Sequence, residues 1–370
     1  MSLLHWTRAL LAAALVLAGC KSNNPTPATA DASVATTAAP SKAPAPASAP
    51  AAATASEPAL AYLKPVGPTK CEWIRQPLPS GEPTTVFTFD AACDGAEVSW
   101  SPSGKEGLVR SSPIGEPTRV WRVDFAAKSG KPLELTGLPA GTGESGRGKP
   151  FITRVGFDAQ GRVVMLLHAS LEPEKGQGGE QFITFEGQRY PVSADDKEGY
   201  GVALAYRLEG ADWKRFETKA TGSHTRLDAN KSIHDPGPSQ TELPGQAASE
   251  SAVRMLNAAL KPKDKFGKWM ALPTPGGTLY YRAMQEDADG TESPRGPVRW
   301  EQDGKLVELE GLSASADNLV IFQLRGELLI INVLGETNAA SVFDTRAKKN
   351  LASVKDVGVP VTLWPEPARP

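Results

Sequence analysis

The chain has 370 residues, with 40 Lys and Arg against 42 Asp and Glu, for a net charge of -2. Its pI of about 6.2 gives no reason to expect a nucleic-acid partner. Three cysteines and four histidines leave little material for a metal centre, and beyond the N-terminus no apolar run approaches the roughly 20 residues of a spanning helix.

The N-terminus carries the most specific signal. Arg8 supplies a positive charge, Ala9 to Leu17 form a short apolar core, and Leu17-Ala18-Gly19-Cys20 puts small residues before a cysteine. The core is too short to cross a bilayer and has the shape of a signal h-region. These residues resemble the lipobox of bacterial lipoproteins. The resemblance implies cleavage before Cys20, loss of residues 1–19, and a diacylglycerol on the Cys20 thiol. Two or three acyl chains would then hold the protein on a membrane durably, where one would hold it only marginally. In enteric bacteria an Asp after the cysteine retains a lipoprotein in the inner membrane, so Lys21 favours the outer membrane. The alternative is an ordinary secretory signal with a cysteine at its cleavage site.

Residues 20–60 read as a tether. From Ser22 to about Ala59 the chain is mostly Ala, Pro, Thr and Ser, with no aromatic residue and Val34 as its one β-branched aliphatic. Such a segment cannot bury enough apolar surface to offset its ordering entropy. Pro44, Pro46 and Pro50 extend it.

Residues 61–370 read as mainly β. Cys71 and Cys93 fall early in this part. With Cys20 committed to lipid they form an even pair in an oxidising compartment, so a disulfide is expected. Metal binding by the pair lacks both a CxxC spacing and nearby histidines. Thr85 to Phe89, Arg119 to Val123 and Gly201 to Leu208 alternate as strands do. Asn318 to Leu324 and Glu327 to Val333 flank Arg325-Gly326 and read as a hairpin with buried faces. Lys219 to Gln246 is polar and rich in Pro and Gly, and reads as a long surface loop. One short helix follows: Ser249 can cap it, Val253, Leu256 and Leu260 share a face, and Pro262 ends it.

Two patterns recur. Val98-Ser99-Trp100 leads to Gly104-Lys105, Val155-Gly156-Phe157 to Gly161-Arg162, and Val298-Arg299-Trp300 to Gly304-Lys305. In each, Val and an aromatic share one strand face, and Gly supplies a turn. Separately, strands ending in Asp124 and Asp344 each run into a polar turn, whose backbone amides the Asp carboxylate can accept. Trp100-Ser101-Pro102-Ser103-Gly104-Lys105, with Val120-Trp121-Arg122-Val123-Asp124 and Pro132 to Thr136, resembles one blade of the TolB-type periplasmic β-propellers. Ser103 stands where those repeats have Asp, and the later copies lack the Ser-Pro pair. The resemblance implies a propeller-like domain of short antiparallel strands. Two β-sandwich or barrel-like domains are the alternative.

The sequence offers no catalytic residue, metal site or cofactor. His168 reads as a satisfied strand residue. His224 and His234 lie near Asp228 and Asp235 without a compact ligand spacing. Asp195-Asp196 and the acidic turn from Glu286 to Gly290 read as solvated. Gly143-Glu144-Ser145-Gly146 lacks the nucleophile-elbow spacing, and no HExxH, phosphate loop or EF-hand loop is present. Trp73, Trp100, Trp121, Trp213, Trp269, Trp300 and Trp364 suit either a core or a binding face. The expectation is therefore a non-enzymatic lipoprotein of the cell envelope, anchored through Cys20 to the outer membrane and binding an envelope protein. The rival is a carbohydrate-binding module or hydrolase with a pocket on the same β scaffold.

Overall fold

Alternating side chains on the twenty-five short strands of the described residues decide the architecture. A computed structural model describes residues 57–113, 115–144, 148–192, 200–221, 227–234, 246–247, 256, 269–285 and 292–364. The first strand, β1 (Ala59–Gly67), starts inside the segment read as tether, because Ala59 and Leu60 are both buried. It pairs with β2 (Lys70–Pro77), and β2 with β3 (Thr84–Phe89). The second sheet is a meander of β4 (Ala96–Trp100), β5 (Glu106–Ser111), β6 (Arg119–Asp124) and β7 (Ser129–Pro132).

The third sheet begins with β8 (Phe151–Asp158) and β9 (Val163–Leu171). A small inserted sheet follows: β10 (Glu174–Lys175), β11 (Gln181–Phe185) and β12 (Gln188–Pro191). The third sheet then resumes with β13 (Tyr200–Glu209) and β14 (Asp212–Thr221). One helical turn, α1 (Ala229–Ser232), leads into β15 (Ile233–His234), which adds to the free edge of β8.

The last sheet joins two meanders. The first runs through β16 (Gln246–Ala247), β17 (Trp269–Thr274), β18 (Gly277–Gln285), β19 (Glu292–Gln302) and β20 (Lys305–Glu308). The second runs through β21 (Leu319–Arg325), β22 (Leu328–Leu334), β23 (Ala339–Asp344) and β24 (Lys349–Lys355). Finally β25 (Gly358–Leu363) crosses back to pair with β1, so the chain's last strand completes its first sheet. Every pairing is antiparallel.

The sheets stack face to face and share their cores. Odd-numbered Ala61 and Leu63 of β1 pack with Val109, Trp121 and Val123 of the second sheet. Even-numbered Leu60 and Tyr62 pack with Ile330 and Val342 of the last. Likewise Leu108 faces Met165 and Leu204 of the third sheet, while its neighbour Val109 faces the first. In the last sheet Leu329 and Ile331 meet Leu272 and Leu279, while Ile330 meets Leu60. Period-2 alternation thus splits each of these strands between two cores, which is why they read as continuous apolar runs. Each fully buried Leu or Ile contributes about 1.5–3 kcal/mol. Consecutive four-stranded meanders packed this way, with the last strand completing the first sheet, form a mainly β, propeller-like fold. The shared cores set aside two separate sandwich or barrel domains.

The disulfide joins Cys71 to Cys93, with Cα atoms 5.1 Å apart. It ties β2 to the link between the first two sheets. Beside it Trp73 is fully buried against the rings of Trp100, Phe125 and Trp364, at 5.2–5.9 Å between centroids. Six of the seven tryptophans after Cys20 are buried, and Trp364 is half-buried. Their work is packing.

The Val-aromatic-Gly pattern divides. Its three glycines, Gly104, Gly161 and Gly304, all take positive φ, between 66° and 77°. The first two turn between the first and second strands of a meander. The third turns between β19 and β20, the last two strands of theirs. The pattern marks a type of hairpin, not a fixed place in a repeat. The expected helix after Ser249 lies outside the described residues apart from Leu256, which is helical and buried. The surface loop expected over Lys219 to Gln246 is corrected in part. Lys219 to Thr221 continue β14, and Leu227, Ala229 and Ile233 are buried against the third sheet.

Candidate functional site

A cleft of about 480 Å³ opens where that packed segment meets the third sheet. Asp158, Gln160, Arg207, Lys231, Ile233 and His234 line it. On one face of β13, Ala203 and Ala205 precede Arg207 and pack in one cluster with Leu227, Ala229 and Ile233 of the segment that borders the cleft. At Gly156 a Cβ would lie 2.4 Å from Ile233 Cγ2, so only glycine lets Ile233 seat there and β15 dock on β8.

The opposite wall is tied down by polar contacts. The Glu217 carboxylate accepts the backbone N–H groups of Asp228 at 2.9 Å and Ala229 at 2.7 Å. Partial burial pushes the Glu217 carboxyl up, but these two amides and Lys219 outweigh it and hold it below the usual range. Lys219 Nζ lies 2.8 Å from Asp228, and Arg154 donates to the Asn230 side chain at 2.7 Å.

Asp158 organises the centre. It ends β8 and is 2 % exposed. One carboxylate oxygen accepts the backbone N–H groups of Gln160 and Arg162, at 3.0 and 2.9 Å. The other meets Nε of Arg162 at 2.8 Å and Nε of Arg207 at 3.2 Å. With both oxygens engaged, the carboxylate accepts a hydrogen bond from Arg162, forms an ion pair with Arg207, and is not poised as a base. The Arg207 guanidinium also lies over the Phe216 ring, 4.5 Å from its centroid.

Of the residues singled out by sequence, only His234 lines this cleft. Asp228 stands behind it in the Lys219 and Lys231 ion pairs. His224, Asp235, Asp195-Asp196, Ser145-Gly146 and the turn from Glu286 to Gly290 lie outside the described residues, as does Cys20. Among the described residues, no three His, Cys, Asp or Glu side chains converge as metal ligands. His168 sits on β9 against the Phe151 ring, 5.2 Å away, and burial pushes its imidazole below the usual value. Asp158 and Arg207 escaped sequence reading. The usable signals were an Asp placed directly after the aromatic of the hairpin pattern, and an Arg continuing an Ala-x-Ala face.

No protein-family model matches this sequence, and no curated protein matches it. Solved structures do. TolB from Acinetobacter baumannii is 13 % identical, with a TM-score of 0.26 over 83 % of this chain and 63 % of that one. The chain therefore spans less than two thirds of that TolB. The β-propeller domain of the Trilobed protease from Pyrococcus furiosus is 9 % identical, with a TM-score of 0.26 over 85 % of this chain and 99 % of that one. The periplasmic gluconolactonase PpgL of Pseudomonas aeruginosa is 10 % identical, with a TM-score of 0.26 over 83 % and 98 %. Among the described residues no helix is long and apolar enough to cross a membrane.

Proposed function

We propose that this chain is a lipid-anchored lipoprotein of the cell envelope whose β-rich part is a protein-binding scaffold. The observation that carries the reading is Cys20 in its setting: a charged start, a short apolar core and Leu17-Ala18-Gly19 before the cysteine. The Cys71–Cys93 disulfide supports it, because such bonds persist in oxidising compartments. Lipid on Cys20 would hold the protein at the outer membrane, facing the periplasm or the cell surface. The stacked sheets share their cores, and loops on such a scaffold are the natural place for recognition of an envelope protein. One observation favours a second reading, a carbohydrate-binding module or hydrolase: the cleft beside Asp158 has the size of a small-molecule site.

Membrane fractionation and in-cell cross-linking of the full chain, set against Cys20→Ser, test the first reading. The expected result is a membrane-bound protein with one stoichiometric envelope partner, both lost in the variant. Unchanged membrane association of Cys20→Ser would overturn the anchor. Repeated absence of any cross-linked partner would overturn the scaffold.

A further inference from the structure

The scaffold reading leaves the cleft beside Asp158 without a task, yet its donors are arranged for one. Arg207 is held on two sides. Its Nε forms an ion pair with the buried Asp158 carboxylate at 3.2 Å, and its guanidinium lies over the Phe216 ring. Its side chain is only 23 % exposed. The two terminal nitrogens of Arg207 make no hydrogen bond to any described residue. A guanidinium fixed in this way keeps its planar fork of N–H donors already oriented, so little entropy remains to be lost when an acceptor arrives.

The surroundings suit an anion. Asp158 contributes little repulsion, since its side chain is 3 % exposed and its charge is matched by two arginines. Lys231 also lines the cleft; its ammonium is exposed and lies 3.6 Å from the exposed Asp228 carboxylate, and His234 also lines the cleft. The volume exceeds that of a single oxyanion and falls within the range of small-ligand sites. An ammonium would supply only a point charge, whereas a fork pairs two oxygens on one centre.

We propose that this cleft binds a small ligand through a carboxylate or phosphoryl group, with Arg207 as its principal donor and Lys231 as a second cation. The proposal does not rest on the scaffold reading, and its test is independent of it.

The test is calorimetric titration of the purified full-length protein with inorganic phosphate and, separately, with citrate. Saturable one-to-one binding of at least one probe is expected, weakening as salt rises. Binding of phosphate alone assigns the site to phosphoryl ligands, and binding of citrate alone to carboxylates. Arg207→Lys keeps a cation beside Asp158 but removes the fork, and should weaken binding at least tenfold. Lys231→Gln changes an exposed residue and should weaken it two- to threefold with no change in melting temperature. Arg122→Gln, on the second sheet, should leave binding unchanged. Absence of saturable binding to both probes would overturn the proposal. So would binding that neither Arg207→Lys nor Lys231→Gln alters.

Discussion

The side chain of Asn332 replaces a missing strand beside Val361. Its amide donates to the Val361 carbonyl at 3.1 Å, and its carbonyl accepts the Val361 N–H at 2.7 Å. Both groups are buried, and Val361 lies in β25, whose other edge is taken by β1. This contact joins the last strand of the chain to β22 and so helps close the first sheet onto the last. Asn332→Leu would keep the volume and leave two backbone groups without partners. Each buried orphan costs about 1–3 kcal/mol. The variant should lose at least about 2 kcal/mol in equilibrium urea unfolding. A loss under about 0.5 kcal/mol would show that β25 is held by its pairing with β1 alone.

The disulfide closes 22 residues of chain between Cys71 and Cys93. In the chain-entropy model a loop of that size contributes about 3 kcal/mol. Cys71→Ser with Cys93→Ser should lower unfolding stability by that order, and reductant should shift the wild type but not the double variant. Non-reducing mass spectrometry of protein from the envelope should recover the peptide joining the two cysteines. Free thiols at both positions would contradict the bond.

His168 gives the fold an acid sensitivity. Burial favours its neutral form, so the folded-state value lies below the 6.5 of a free imidazole. As pH falls through about 6.5 the unfolded chain takes the proton first, and stability falls with it. His168→Gln removes this contribution. Melting temperatures at pH 7.5 and 5.5 should therefore differ more in the wild type than in the variant. Equal differences would mean that His168 titrates alike in both states.

Strand positions were legible where one residue type decides them. The alternation of Gly201 to Leu208 gives β13, and the apolar run from Leu328 to Leu334 gives β22. Asn332 interrupts that run, and its partner lies in β25, which no local pattern can reveal. The packing of residues 227–234 was hidden for a related reason. Three buried residues, Leu227, Ala229 and Ile233, stand in a polar background, and their seat depends on Gly156 of another strand. The cleft was illegible because Asp158 and Arg207 come together only through the pairing of β8 with β9 and of β9 with β13. Each alone looks like an ordinary end of a strand.

The Asp-ended turns carry the closest agreement between sequence and structure. Asp124 Oδ1 accepts the N–H groups of Ala126 and Ala127, both at 2.9 Å. Asp344 Oδ1 accepts those of Arg346 and Ala347 at the same distances. Both turns join the third and fourth strands of a meander, and in both the fourth turn residue, Lys128 or Lys348, takes a positive φ. The carboxylate fixes the first turn residues and thereby the register of the closing strand. Asp124→Ala and Asp344→Ala should each cost about 1 kcal/mol, the range of a lost side-chain cap. The turns lie in different sheets with no shared partner, so the double variant should lose the sum within about 0.5 kcal/mol. Replacement by Asn keeps an acceptor and should recover most of the loss at both sites. A double variant that loses much more than the sum would mean that the two sheets communicate through their closing strands.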